Sequence, residues 1–380
     1  MHFAKMRAFQ DRLTGWRIPG NDCMIRVGHE DVYRYQSGYA DMEKGRRMAG
    51  DELYFMWSAS KPITCTLALR LYEEGLYLLN DPLYEYLPEF KDMQVRETDA
   101  DGNTFLRPAK NPILVKHLFG MAAGFTYDFN SPSVRAAREA HPTCPTREII
   151  RAIAKEPLTF DPGTHWAYSL CHDVLSAFIG VVSGMPTREY AKKALFEPLG
   201  MVDSSYNLPT DPAKLSRMAV QYNYRDDLEK ALPTNNTCGH ILGSDFDSGG
   251  AGVLSTVADY MEFADAMANG GVSKNGYRVL SPATIDLMRR NFLSPIQMQD
   301  FSWSQLAGYG YGLGVRTMVD PCAAGSNGSV GEFGWGGAAG AYLIIDPDRK
   351  AALMYAHHML NNQEPYFSPR LRNVLYACLE

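Results

Sequence analysis

Trp57-Ser58-Ala59-Ser60-Lys61-Pro62-Ile63-Thr64-Cys65-Thr66-Leu67-Ala68-Leu69 is the stretch on which the reading of this chain turns. Pro62 to Leu76 predicts a mostly apolar helix that stops near Gly75. Its hydrophobicity runs nearly all the way round, so it is expected to be buried centrally. Ser58 and Lys61 stand at its start, three residues apart, which puts their side chains on one face one turn apart. A helix N-terminus supplies free N–H groups and the positive end of the dipole, which favour a developing anion. A serine there is placed to be a nucleophile, and its own N–H can bind an oxyanion. The lysine beside it is a base once burial or a neighbouring cation lowers its proton affinity. Ser-x-x-Lys is a short pattern and recurs by chance, so its meaning depends on what accompanies it.

Two further segments accompany it. Pro162-Gly163-Thr164-His165-Trp166-Ala167-Tyr168-Ser169-Leu170 is a Pro-Gly turn leading into an aromatic loop, just before a helix predicted at Asp173 to Ser183. A tyrosine on such a loop can act as acid or base if an ammonium holds it as phenolate, or can simply pack with its hydroxyl on backbone. Phe333-Gly334-Trp335-Gly336-Gly337-Ala338-Ala339-Gly340 precedes a strand predicted at Gly340 to Ile345. Glycines there let a sheet edge approach a substrate backbone to backbone, or make a tight bend. The alternating Gly308, Gly310, Gly312 and Gly314 read as a strand with one bare face that makes room for close packing.

Outward from these segments, Phe3 to Leu13 predicts a helix, and Cys23 to Val27 and Val32 to Tyr39 two strands around a tight loop. From Asn80 to Pro233 helical segments alternate with Pro- and Gly-rich loops: Val115 to Met121, Ser133 to Ala140, Thr146 to Lys155 and Thr187 to Phe196. That region is short of strand signals. After another helix, Thr256 to Asn269, strands return at Tyr311 to Val319 and Ala351 to His357, followed by a helix from Tyr366 to Cys378. Strands at both ends and helices between predict one sheet built from both termini. The class is α+β, with residues 1–79 and 236–380 as the sheet domain and residues 80–235 as an inserted, mainly helical domain.

Composition narrows the function. The chain has 380 residues, net charge −6, 46% hydrophobic and 21% charged residues. This is an ordinary globular balance and excludes a disordered or collagen-like chain. An acidic balance without a basic patch argues against nucleic-acid binding. Seven dispersed cysteines with no Cys-x-x-Cys pair are expected to be free thiols in a reducing compartment. With no apolar segment for a leader or a membrane span, the expectation is a cytoplasmic protein without a membrane partner. No Gly-x-Ser-x-Gly and no zinc-ligand spacing occurs, which argues against an α/β-hydrolase and a metallo-β-lactamase.

The three segments in this order resemble the serine β-lactamase and penicillin-binding-protein superfamily, whose Ser-x-x-Lys signature is established. Within it the chain looks like the class C β-lactamase-related branch with family VIII carboxylesterases. The resemblance covers essentially the whole chain, through Gly38-Tyr39-Ala40-Asp41, Leu87-Pro88-Glu89-Phe90, Glu197-Pro198-Leu199-Gly200-Met201 and Gly308 to Gly314. It implies a DD-peptidase-like fold, an antiparallel sheet flanked by helices. It implies Ser58 as acylated nucleophile, Lys61 and Tyr168 as its acid–base partners, and the N–H groups of Ser58 and Ala338 as the oxyanion hole. Trp335, Gly336 and Gly337 would line the substrate site, with Tyr127 and Phe129, and Trp303 in addition, as an aromatic wall. It implies no metal or organic cofactor.

Two departures shape the expected substrate. The family's Tyr-x-Asn motif has Leu170 in its third place, which cannot bond an acyl amide. Its Lys-Thr-Gly motif becomes Trp335-Gly336-Gly337, and an indole donates one N–H and carries no charge. Loss of a charge-assisted bond to a carboxylate forfeits about 1.5–3 kcal/mol. Both changes favour a neutral ester over a penicillin or a D-Ala-D-Ala peptide, so a small-molecule ester or amide is the expected partner. A carboxylesterase is the leading expectation. An acyltransferase on the same acyl-enzyme, a DD-peptidase-like protein or β-lactamase, and a non-enzymatic sensor or scaffold are the alternatives.

Overall fold

The computed structural model describes residues 1–380. Its centre is an eight-stranded sheet: β1 (Gly20–Val27), β2 (Glu30–Asp41), β3 (Arg46–Arg47), β4 (Tyr309–Tyr311), β5 (Arg316–Met318), β6 (Phe333–Gly334), β7 (Tyr342–Asp346) and β8 (Ala351–Ala356). The order is β4-β5-β6-β7-β8-β1-β2-β3, antiparallel throughout. The N-terminal strand β1 pairs with β8, Cys23 opposite Tyr355 and Ile25 opposite Leu353.

Both faces of the sheet are covered, so its central strands are apolar on both sides. Cys23, Ile25, Tyr342, Ile344, Leu353 and Tyr355 point to one face. There they bury against α1 (Ala4–Thr14), through Met6, Phe9 and Leu13, and α5 (Glu364–Leu379), through Phe367, Leu371 and Leu375. Met24, Leu343, Ile345, Ala352 and Met354 alternate to the other face, as the strand period of two requires. That face packs on α4 (Val257–Ala268). The larger core continues into α2 (Ser60–Glu73) and α3 (Cys171–Ser183), and each fully buried Leu, Ile or Phe contributes about 1.5–3 kcal/mol.

The predicted strand Tyr311 to Val319 is instead two strands, β4 and β5, folded back on each other. The turn between them holds Gly314 at φ +83°, a conformation a continuous strand cannot contain. The four alternating glycines do make room. A Cβ on Gly308, Gly310, Gly312 or Gly314 would come within 2.2, 2.4, 2.1 or 2.2 Å of Asp320 O, Asn291, Met288 O or Cys65 Sγ respectively. The central region also contains two hairpins that the sequence reading did not give, Gln94–Thr98 with Thr104–Pro108 and Tyr222–Arg225 with Lys230–Pro233. The former is largely exposed, so it lacks the apolar alternation that marks a strand. All seven cysteines are free, six of them buried. No helix is long and apolar enough to cross a membrane.

Gly314→Ala should lower unfolding stability by about 1–3 kcal/mol, because the added methyl meets Cys65 Sγ and the backbone stays left-handed. Urea unfolding checks this; an unchanged midpoint would show that the turn does not press on α2.

Candidate active site

Ser58 sits in a single 3₁₀ turn, Trp57–Ala59, which runs directly into α2. Trp57 holds φ +48°, a costly conformation for a bulky residue, and one found where surrounding structure over-determines the backbone. That surrounding structure is a small antiparallel sheet in which Tyr54–Phe55 pairs with Val253–Ser255. Met56 N–H donates to Val253 O at 2.9 Å, and Val253 N–H donates to Ser60 Oγ at 2.9 Å. The turn is thus fixed on both sides of Ser58.

Lys61 is fully buried in the first turn of α2. Its Nζ donates to Ser58 Oγ at 3.1 Å and to Gly250 O at 2.8 Å. The segment Ser248–Gly252 reaches between α2 and α3 because it is nearly bare of side chains. A Cβ on Gly249 would lie 2.0 Å from His172 O, and one on Gly250 would lie 2.7 Å from Asp173 Oδ2. Gly250 is gripped at both ends, since its N–H donates to Asp173 Oδ1 at 3.3 Å. Ser248 Oγ donates to the same oxygen at 2.6 Å. Burial pushes the Asp173 carboxyl above its usual range, while the Ser248 bond and the Lys61 charge pull it back.

Tyr168 reaches this point on a loop tied to its neighbours by backbone bonds, Ala167 N–H to Met121 O at 3.0 Å and Leu170 N–H to Thr126 O at 3.2 Å. Its hydroxyl accepts from Trp335 Nε1 at 3.2 Å, and the two rings stack at 5.7 Å. Lys61 Nζ lies 4.6 Å from the centre of the Tyr168 ring, so the ammonium faces the π-surface while its bonds go to Ser58 and Gly250. Leu170, the residue in the family's asparagine place, is buried in the core.

Ser58, Tyr168, Trp335, Gly336, Gly337 and Ala338 border one cavity of about 180 Å³, together with Trp303, Leu306, Arg316 and Glu364. The N–H groups of Ser58 and Ala338 donate to no protein acceptor. Gly337 is drawn close to the nucleophile turn: a Cβ there would stand 2.2 Å from Met56 O. Such an arrangement offers a serine hydroxyl, a lysine in contact with it, and two free donors for an oxyanion. A groove of about 610 Å³, bordered by Arg147, Ser176, Arg188 and Asp247, is larger but contains none of this chemistry.

Tyr127 packs on the Tyr168 ring at 5.3 Å in a tilted pair but does not itself border the cavity. Phe129 does not border the cavity; its ring packs on His240 at 5.2 Å and Phe246 at 5.6 Å within the core. The sequence reading missed Asp173, His240, Arg316 and Glu364. The run Ser248-Gly249-Gly250-Ala251-Gly252 was the available signal for a backbone segment that meets the lysine.

Residues 6–377 match the family model described as Beta-lactamase, so the chain belongs to that family. It is a serine hydrolase or acyltransferase of it. Esterase EstB of Burkholderia gladioli is 29% identical over 363 residues, covering 89% of this chain and 85% of that protein. Among solved structures, EstCE1, described as a hydrolase with promiscuous acyltransferase activity, superposes with TM-score 0.80 at 22% identity over 98% of this chain and 97% of that one. Unliganded simvastatin synthase of Aspergillus terreus, a selenomethionyl derivative, gives 0.81 at 22% identity over 98% of this chain and 97% of that one.

Two histidines lie close enough to feel the Lys61 charge. Burial, then that charge, lowers His172 to about 3 and His240 to about 4. Both are therefore neutral near pH 7. An unfolded imidazole takes its proton near 6.5, so each contributes stability that is present above that pH and lost as pH falls through the folded values. Histidine NMR between pH 7.5 and 5.5 should show both rings neutral throughout; a His240 signal titrating near 6.5 would contradict this environment.

Proposed function

We propose that the chain is a carboxylesterase for neutral esters, working through an acyl-enzyme on Ser58. The observation that carries this reading is the 3.1 Å contact of Lys61 Nζ with Ser58 Oγ, at a cavity with two uncommitted N–H groups. Ser58 Oγ attacks the ester carbonyl as its proton passes to Tyr168, held as phenolate by the Lys61 ammonium, the two titrating as one coupled pair. The N–H groups of Ser58 and Ala338 hold the oxyanion, an effect worth about 3 kcal/mol for each donor. The pair returns the proton to the leaving alcohol, and water then attacks the acyl group and releases the acid. Trp335 donates a neutral N–H to the Tyr168 oxygen and stands where the family's lysine would hold a substrate carboxylate, which suits esters without one. The name of esterase EstB is in keeping with this reading. The cytoplasm is its proposed location, in keeping with seven unpaired thiols.

A second reading is acyl transfer, in which an alcohol replaces water at the acyl-enzyme. The aromatic cluster of Tyr127, Tyr168, Trp303 and Trp335, an apolar surface for an alcohol acceptor, favours it, as does the acyltransferase activity named for EstCE1.

Ser58→Ala should lower kcat for p-nitrophenyl butyrate at least about a thousandfold with the fold unchanged. Retained activity would refute the assignment. Trp335→Phe, which removes only the indole donor and keeps a ring, should lower kcat about tenfold, the loss of one modest hydrogen bond in the transition state. A wild-type kcat would show that the indole does not act on Tyr168.

A further inference from the structure

One end of the cavity carries charge that the proposed chemistry does not use. Arg316 on β5 and Glu364 at the start of α5 both border it. The Glu364 carboxylate lies against the substrate strand: a Cβ built on Gly336 would stand 3.3 Å from its Oε1. The bare Gly336 therefore leaves this oxygen uncovered at the strand edge. Arg316 is 1% exposed. Its Nη2 donates to Leu343 O at 2.7 Å, but Nε and Nη1 have no hydrogen-bond partner. Its guanidinium lies 4.4 Å from the centre of the Tyr342 ring, and no carboxylate pairs with it directly.

The surrounding charges set the balance. Glu332 is fully buried, paired with Arg372 at 3.2 Å and hydrogen-bonded by Tyr309. Two arginines and two glutamates then make a neutral cluster. Burial pushes the Glu364 carboxyl above its usual range, and the Arg316 charge is the largest influence pulling it back.

We infer that Glu364, backed by the buried Arg316, forms an acceptor subsite that selects esters carrying a neutral hydroxyl and disfavours those carrying a carboxylate. A hydroxyl donates to the Glu364 oxygen and leaves the cluster neutral. A substrate carboxylate would face a like charge across a small cavity beside buried groups, where repulsion is stronger than in bulk water. The inference names a substrate class for the proposed esterase site and rests on that reading.

The test compares matched esters in a pH-stat at pH 7.5. Methyl hexanoate is set against methyl 6-hydroxyhexanoate and monomethyl adipate, and propyl butyrate against glycerol 1-monobutyrate, so that both sides of the ester are probed. At least one hydroxyl ester should exceed its alkyl parent about tenfold in kcat/KM, and the adipate monoester should fall about tenfold below methyl hexanoate. Glu364→Gln removes the negative charge and leaves Arg316 in place. It should raise the adipate-to-hexanoate ratio about tenfold, a ratio that a general loss of folding does not produce. Hydroxyl and alkyl esters equal within twofold on both sides, or an adipate ratio unchanged in Glu364→Gln, would overturn the inference. The wild-type comparison decides the first point even if the variant does not fold. Ser58-dependent turnover of p-nitrophenyl butyrate without these preferences overturns the subsite alone; no turnover of any ester overturns both.

Discussion

A fully buried ammonium, Lys61 Nζ, is the constraint around which the structure is arranged. Taking a charge out of water costs several kcal/mol unless good partners receive it. Here the partners are Ser58 Oγ, Gly250 O and, at longer range, the Asp173 carboxylate. Each comes from a different part of the chain. Ser58 belongs to the turn before α2, Gly250 to the glycine segment, and Asp173 to the first turn of α3. The lysine is therefore satisfied only when all three are assembled, and the same assembly presents it to the serine.

The second constraint is close approach of backbones. The strand edge at Gly336–Gly337 comes close to the nucleophile turn only because Gly337 has no side chain to meet Met56 O. Gly249 and Gly250 permit the same between the glycine segment and α3, and Gly314 between the β4–β5 turn and α2. A site of this kind is made of main chain at short range, with few side chains aimed into it. That explains why the cavity is small. It also gives Trp335 its part: with the cation of the family motif gone, the only side-chain donor to the Tyr168 oxygen is an uncharged indole.

Ser58, Lys61 and Tyr168, which the structure brings together, stood out because each lies in a local pattern: three-residue spacing before an apolar helix, and an aromatic loop after Pro162-Gly163. Helices α1 to α5 were legible within a few residues, α2 by its long apolar run and the others by apolar residues at helical spacing. Residues joined only by the tertiary fold were not. Asp173 reads as an ordinary acid at a helix start, and its meeting with Gly250 spans 77 residues of sequence. Arg316 and Glu364 belong to no local motif, yet the sheet and α5 bring both to the cavity wall. Phe129 shows the opposite error. An aromatic two residues from Tyr127 looks like a second wall residue, but the chain there turns its ring into the core against Phe246. Tyr311 to Val319 read as one strand because β-branched and aromatic residues flank the glycines, and the left-handed Gly314 that folds it back leaves no sequence mark beyond being glycine.

The central claim is that Ser58 carries the acyl group during turnover. It is tested most directly by mixing the protein rapidly with p-nitrophenyl butyrate, quenching in acid, and mapping the peptides by mass spectrometry. The account predicts one butyryl group on the peptide containing Ser58, formed in step with the first equivalent of nitrophenol and lost as turnover ends. A butyryl group on any other residue, or nitrophenol release with no acyl-protein at the earliest times, would contradict it.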